Sequence, residues 1–481
     1  MMSRQMSNSS GMKYSLSNRL AFADAYDKIR QESGGSNQTT TCITGVGGRD
    51  FKNGSISDYV HLKKPLGGES SNAEAFVACV GTKQECLDGG GIPAAVKLMP
   101  LRPDRNAKLS ADDQRVLSNR HSPEALQHEV WVEITAMELC KILLQQRICP
   151  NLPLMYGYDY CNNCSYTNPN LKGDSKKCLL MVNELFSGGD YRTWIRASKR
   201  TTQEFRSSMF QLGAGLHTMW NKMGISHRDF HAGNVLFHGN SKPRSVRLLG
   251  YLRYKMNGRF FHCPVYGDVD PDLFIIWDFQ YAFRENIFDS VQTQEERHEQ
   301  EQHPLAQDIG PPTYDYERFT SLFLGSPKPS KADHDPLARY ASPGIIDVCE
   351  RFRKYAEQNL RIDQVMEIEF QDYLNVPRDA PILETYDMDT RVVVPPALCG
   401  LGIFLPETTT SAKCEGEVDI NKEPYLAEIA IGDNTKRSGS QSRSQLGSRS
   451  RSRSRTLSFS GRGSGSFSLN RSQMSRTYDG M

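Results

Sequence analysis

Ile225-Ser226-His227-Arg228-Asp229-Phe230-His231-Ala232-Gly233-Asn234-Val235-Leu236-Phe237 reads as an apolar strand end, a polar turn and an apolar strand. Asp229 and Asn234 sit five positions apart across the turn. Such a loop can aim a carboxylate at a hydroxyl and an amide oxygen at a metal ion. A His-x-Asp alone is a weak pattern. His-Arg-Asp-x-x-x-x-Asn running into a Val-Leu-Phe strand is a far more specific one.

The surrounding chain has 481 residues, 38% hydrophobic and 24% charged, enough for a sizeable core with polar flanks. The net charge of +2 hides an asymmetry: Arg437 to Met481 holds nine Arg against one acid, Asp479, so the body is net acidic. General nucleic-acid binding is therefore excluded for the body, and only residues 437–481 have that character, toward nucleic acid or another acidic partner. Twelve Cys in this length make no disulfide framework and fit a reducing compartment. The N-terminus has no apolar core of a signal peptide, and no 18-residue apolar run occurs. The expectation is an intracellular, unsecreted chain with no membrane partner.

Residues 1–55 are rich in Ser, Asn, Gln and Gly and are expected to be disordered, apart from a short helix near 20–30 with Phe22, Tyr26 and Ile29 on one face. Leu66 to Val80 is a small-residue turn and an alternating strand. Lys97 interrupts the apolar strand that ends Ala94-Ala95-Val96-Lys97-Leu98; taken singly, it reads as a surface lysine. Ser122-Pro123-Glu124 is a capped helix start. Leu126, Val130, Met137 and Leu144 continue it at helical spacing, and Glu133 lies within roughly 20° of that stripe's centre, whereas Glu138 does not. A carboxylate inside a buried face needs a cation, and Lys97 is the partner chosen for Glu133. Cys161, Cys164 and the later Cys178 fall short of the four donors zinc takes, so this stretch reads as a loop between two strands. Residues 434–481 are Ser, Arg and Gly with Arg-Ser repeats and cannot bury a core.

At every fixed position the opening stretch resembles the protein-kinase catalytic loop. The resemblance to the protein-kinase-like superfamily covers residues of roughly 60 to 330. The Asp229-Phe-His-Ala-Gly-Asn form is similar to haspin; Pro150-Asn151-Leu152-Pro153 and Tyr314-Asp315-Tyr316-Glu317-Arg318-Phe319 look like the kinases of large DNA viruses such as iridoviruses. The resemblance implies an α+β bilobal fold: a small β-rich N-lobe with one main helix over 56–186, a larger helical C-lobe over 187–433, and disordered tails. It implies ATP and Mg²⁺ as cofactors and Ser/Thr hydroxyls of a protein as acceptors. Asp229 would be the catalytic base, with Arg228 and His231 beside it, and His231 stands where a lysine normally meets the γ-phosphate. Gly68, Ser70 and Ala73 fall on the three glycine positions of the nucleotide lid, whose first residues are Leu66 and Gly67. Lys97 would hold the α- and β-phosphates; Asn234 and Asp278 would bind Mg²⁺. Backbone from Glu184 to Phe186 would face adenine, Asp190 would reach ribose, and Asp315 would secure the catalytic loop. The gap from Asn234 to Asp278 is unusually long for this pattern, so an inserted hairpin is expected near Arg247 to Val265; Gln280 replaces the glycine after Asp278-Phe279, and no Ala-Pro-Glu follows. That absence and His231 also suit a small-molecule phosphotransferase, and a third reading is a pseudokinase scaffold acting through its Arg-Ser tail.

Overall fold

The computed structural model describes residues 13–33, 55–57, 59–66, 73–102, 125–161, 164, 166, 168, 171, 177–240, 243, 245–284, 313–324, 337–394 and 412–414. Contacts divide the chain into two units, Met1–Asp419 and Ile420–Met481, and the second falls wholly outside those residues. So do Gly67, Gly68, Ser70, the cap at Ser122 and the Arg-rich segment 434–481. The first unit is mixed α+β, with a sheet-rich region followed by a helical one.

A helix, α1 (Leu16–Glu32), opens the described chain; the Ser15 hydroxyl accepts from the Asn18 amide and caps it. Strands β1 (Ser55–Ser57), β2 (Val60–Leu66) and β3 (Glu74–Val80) follow, then a short helix α2 (Lys83–Leu87) held by a Thr82/Glu85 capping box, and β4 (Ile92–Pro100). Helix α3 (Glu129–Gln145) is preceded by a 3-10 turn over Ala125–Gln127, so the regular helix starts later than the Ser122 cap predicts. Strands β5 (Met155–Cys161) and β6 (Cys178–Glu184) complete a six-stranded sheet in the order β1-β2-β3-β4-β6-β5. Its β2 to β6 pairings are all antiparallel. Both β5 and β6 are buried along their whole length, because α1 covers β5 and α3 lies against the same layer.

The helical region begins with β7 (Gly189–Asp190), α4 (Tyr191–Ala197) and α5 (Thr202–Thr218), the last started by a Thr201/Glu204 capping box. A π turn over Met219–Met223 ends it at Gly224, whose φ of +65° is the left-handed value glycine adopts without strain. Strand β8 (Val235–His238) pairs with β7 and with β11 (Leu273–Ile276) in a three-stranded sheet. Between them stands the hairpin expected from the long gap, β9 (Arg247–Met256) and β10 (Arg259–Gly267). Helices α6 (Thr313–Leu324), α7 (Pro343–Glu357) and α8 (Ile362–Glu369) follow, and β12 (Ile382–Asp387) returns parallel to β9. Aromatic rings fill this region's core: Tyr191, Phe319 and Phe323 meet edge to face, and Phe230 stacks on Phe319.

Two expectations are corrected. The first concerns residues 1–55, where α1 is a packed helix and not part of a tail. Its buried residues are Leu16, Arg19, Ala23 and Tyr26, spaced three and four apart, and the expected Phe22 and Ile29 are partly buried beside them against the core. A Cβ at Gly157 of β5 would stand 2.8 Å from the Tyr26 ring, so the close approach of α1 needs glycine there. The second concerns the cysteines. Cys79–Cys86 and Cys164–Cys178 are disulfides, with Cα separations of 5.8 and 6.1 Å, inside the bridging range. Cys140, Cys149, Cys263 and Cys349 are free and buried. Among the described residues, no helix is long and apolar enough to cross a membrane.

Arg19 is the reason α1 belongs to the body. Its Nε and Nη2 donate to both oxygens of Glu184 at 2.8 Å, its Nη1 to the Pro150 carbonyl at 2.7 Å and its Nη2 to the Leu152 carbonyl at 2.6 Å. Burial works to raise the Glu184 carboxyl, but the Arg19 guanidinium and the His238 ring outweigh it and hold it down at about 2. Breaking such a buried pair from one side leaves an uncompensated charge. Arg19→Met should therefore lower the unfolding free energy by about 3–5 kcal/mol in urea titration at neutral pH. Glu184 has a folded value below its unfolded one, so its stabilising contribution is present above the ordinary carboxylate range and lost as pH falls toward 2. The stability gap between the natural chain and Glu184→Gln should shrink across that acid window, and a gap that is constant with pH would contradict the assignment.

Candidate functional site

The turn between Ile225 and Val235 is held from below by α6. Asp315 is fully buried; its Oδ2 accepts the His227 amide at 2.7 Å and its Oδ1 the Arg228 amide at 2.8 Å. Successive amides aimed at one carboxylate fix the backbone, and Arg228 takes a φ of +66°, a left-handed value that non-glycine residues rarely adopt. The His227 ring bonds the Trp277 carbonyl at 2.8 Å, and the Trp277 amide donates to the Asn234 carbonyl at 2.8 Å. These bonds join the loop to the segment carrying Asp278, which also has a φ of +66°.

Asp229 is the polar centre of the loop. Its Oδ1 accepts from Arg318 Nη2 at 2.9 Å, and its Oδ2 accepts from Asn234 Nδ2 at 2.9 Å. Arg318 Nη1 donates to the Arg228 carbonyl at 2.6 Å. His231 Nδ1 accepts the Gly233 amide at 2.9 Å, so the ring proton belongs on Nε2, 3.5 Å from Asp229 Oδ2. Burial works to raise the Asp229 carboxyl; the bond from His231 and the Arg318 charge outweigh it and hold the group below its ordinary value.

A second cluster faces this one. Lys97 Nζ, on β4, donates to Glu133 Oε1 at 2.7 Å and Oε2 at 2.9 Å, and to Asp278 Oδ1 at 3.1 Å. Glu133 lies on α3 with its side chain only 1% exposed, whereas the Asp278 side chain is 30% exposed. Burial pushes the Glu133 carboxyl upward and Lys97 pulls it back; burial works to lower Lys97, and its two carboxylates more than compensate. One lysine thus sits between two carboxyl groups, with Asp278 on the cluster's open side. Asn234 turns its amide nitrogen to Asp229, which assigns the amide oxygen to the other direction.

The structure thus brings Lys97, Glu133 and Asp278 into one cluster and Asp229, His231 and Asn234 into another, with a backbone bond between the two segments. Arg228, Asp190, Glu184 and Phe186 make other contacts. The Arg228 guanidinium lies over the rings of Phe283, at 5.2 Å, and Tyr314, at 5.6 Å, so it braces the loop, and Arg318 supplies the cation at Asp229. Asp190 Oδ1 accepts the Thr193 amide at 2.7 Å and caps α4. Glu184 has a buried side chain committed to Arg19, to the Leu154 amide at 2.8 Å and to His238 at 3.0 Å. Phe186 packs on His238 and Trp277. Leu66 pairs with Ala75 at the end of the β2–β3 ladder, and Ala73 is buried beside it; the turn between them lies outside the described residues.

Arg318 and Arg19 were missed as functional groups by the sequence reading. A signal for Arg318 existed: it lies three residues after Asp315, on the same helical face.

No protein-family model matches this chain, and no curated protein matches it.

Arg318→Met should raise the titration of Asp229, because the cation that opposes its burial is removed. Carboxyl-carbon NMR across an acid titration checks this, and an unmoved Asp229 would show that Arg318 acts only on the Arg228 carbonyl.

Proposed function

We propose that this chain is an ATP-dependent phosphotransferase of protein-kinase type, with residues 56–186 and 187–433 as its two lobes, and that it acts on protein Ser/Thr hydroxyls. The observation that carries the reading is the convergence of Lys97, Glu133 and Asp278 beside a loop that presents Asp229 and Asn234 and hangs from buried Asp315. Each part suits phosphoryl transfer, in which positioning and charge placement do most of the work. A turn built only for structure has no need of a lysine paired with two carboxylates across a strand, a helix and the segment after β11.

The donor set fits the cofactor. Asp278 offers a carboxylate oxygen and Asn234 an amide oxygen, the hard ligands that Mg²⁺ takes. Bound Mg-ATP would supply the phosphoryl group and much of the charge neutralisation. Lys97, kept protonated by Asp278 and Glu133, is placed to contact phosphate oxygens. Asp229 is ionised at neutral pH because Arg318 and His231 hold its carboxyl down, so it can accept a hydrogen bond from an acceptor hydroxyl. The proton belongs on Oδ2, whose neighbours are the Asn234 amide and the His231 ring, since Oδ1 faces the Arg318 cation. A carboxylate so depressed is a weak base, which makes orientation of the hydroxyl its first task.

Transfer of radiolabelled phosphate from ATP to a panel of basic proteins and small alcohols tests the reading. Asp229→Asn should lose at least about a hundredfold in turnover while keeping its thermal unfolding profile. Near-normal turnover in that variant would overturn the proposal, and labelling confined to the small alcohols would move the acceptor class. Glu133→Gln should cost far more activity than Glu138→Gln, because Glu133 is the helix carboxylate that reaches Lys97. The opposite ranking would remove the lysine–glutamate pair from the mechanism.

A further inference from the structure

The side chain of Arg192 stands against the loop that carries Asp229. Its guanidinium carbon lies 3.6 Å from where a Cβ on Gly233 would be, beside the His231 ring, and His231 Nε2 is 3.5 Å from Asp229 Oδ2. Among the described residues this side chain has no hydrogen bond or ion pair. Arg192 belongs to α4, and basic residues continue from it at the spacing of one helix face. Arg196 is four residues on, and Arg200 four beyond that, just past the helix end. They lead into a cavity of about 460 Å³, within the size range of small-ligand sites. Arg196, Lys199, Arg200 and Arg339 line it with Tyr340 and Ser342, and none of the described residues lining it is acidic. The Arg196 and Arg339 guanidinium groups lie 5.7 and 4.8 Å from the centre of the Tyr340 ring. Buried Arg200 donates to the Trp194 carbonyl and to Glu204, each at 3.0 Å, with Asp272 3.9 Å away, and its Nη2 has no hydrogen-bond partner. Ser342 caps α7, so the positive end of that helix opens on the same space. Like charges gathered on a net acidic body are unfavourable until an anion neutralises them.

We propose that this cavity receives a phosphorylated side chain of the acceptor protein, about three residues from the hydroxyl held at Asp229. A phosphate dianion offers several oxygens to a group of guanidinium donors, and a carboxylate brings fewer bonds and less charge to the same space. The distance follows from α4. Its seven residues, at about 1.5 Å each, make a helix of about 10 Å. The first turn of that helix meets the loop of Asp229 through Arg192, and its last turn lines the cavity through Ile195 and Arg196. Extended peptide covers such a span in about three residues, at about 3.3 Å each. Recognition in the cavity is ionic and makes or breaks no covalent bond. The inference rests on the phosphotransferase reading for its acceptor and on the cavity alone for its anion.

Two measurements on the full chain test this. Fluorescence anisotropy with labelled peptides, their acceptor Ser replaced by Ala, reads the cavity without turnover. A peptide with phosphoserine about three residues from that position should bind at least about tenfold tighter than its plain serine twin. Arg196→Ala combined with Arg339→Ala changes two exposed side chains and should bring that ratio to about one. A ratio of one in the natural chain overturns the proposal. So does a ratio that the double variant keeps, which would place the phosphate on the Arg-rich residues 437–481. Displacement of the peptide by inorganic phosphate at equal concentration would mark a free-anion site and overturn it too, as would an oligonucleotide that binds more tightly through the same two arginines. The second measurement is transfer from radiolabelled ATP to peptides with phosphoserine at successive positions on either side of the acceptor. Turnover should peak at about three residues' separation. A flat dependence overturns the link to Asp229. Tight binding without any transfer refutes the phosphotransferase reading and leaves a phosphopeptide site, whereas transfer with a binding ratio of one refutes the site and spares that reading.

Discussion

The buried carboxylate of Glu184 is the constraint on which the sheet-rich region depends. It ends β6, receives Arg19 from α1, takes the Leu154 amide at the entry to β5 and bonds His238 at the end of β8. Three sequence-distant segments are therefore satisfied by one side chain. A carboxylate in this position is unfavourable without partners. Each segment depends on the others, because losing any one would strand polar groups in the interior. The cluster also explains why α1 packs where it does. The Arg19 donors are spent on Glu184 and on two carbonyls of the 150–152 turn, so the helix is located by hydrogen-bond geometry as well as by apolar burial.

The same logic, in a lighter form, governs the candidate site. Asp315 replaces the missing hydrogen bonds of a sharp turn with one buried carboxylate, and Arg318, one helical turn on, takes the carbonyl and the carboxylate that the turn presents. Asp229 is thereby held between a cation and an amide. The left-handed backbone at Arg228 is kept by these bonds, and that at Asp278 stands next to Trp277, whose amide and carbonyl are bonded to the loop. The partial exposure of Asp278 contrasts with the closed surroundings of Glu133. Of Lys97's two carboxylates, Glu133, on α3, is fixed inside and Asp278 is the partly exposed one.

What could be read from the sequence divides along the range of the interaction. Spacing within one loop placed Asp229 and Asn234 together, and helical phase chose Glu133 over Glu138, because both depend on local periodicity. The long gap after Asn234 announced the hairpin of β9 and β10. Arg19 and Arg318 were illegible for a common reason. An arginine on an amphipathic helix looks like a solvated residue until its partner's location is known, and Glu184 lies 165 positions from Arg19. Asp190 differs: a carboxylate just before a helix is a cap, a local role that spacing alone makes legible.

Cysteine shows the limit of reading neighbours along a chain. Cys-x-x-Cys with one distant Cys is ambiguous because sequence spacing leaves open which strands pair. Antiparallel pairing of β5 with β6 puts Cys161 opposite Cys178 and converts a separation of seventeen positions into direct neighbours. The register decides this: a slip of one residue would turn one of the two side chains to the other face of the sheet. Both strands are buried along their length, so the register is set by apolar packing and the sulfur cluster is inherited from it. The chemistry at that end of the hairpin is thus a consequence of the same core that carries β6 to Glu184.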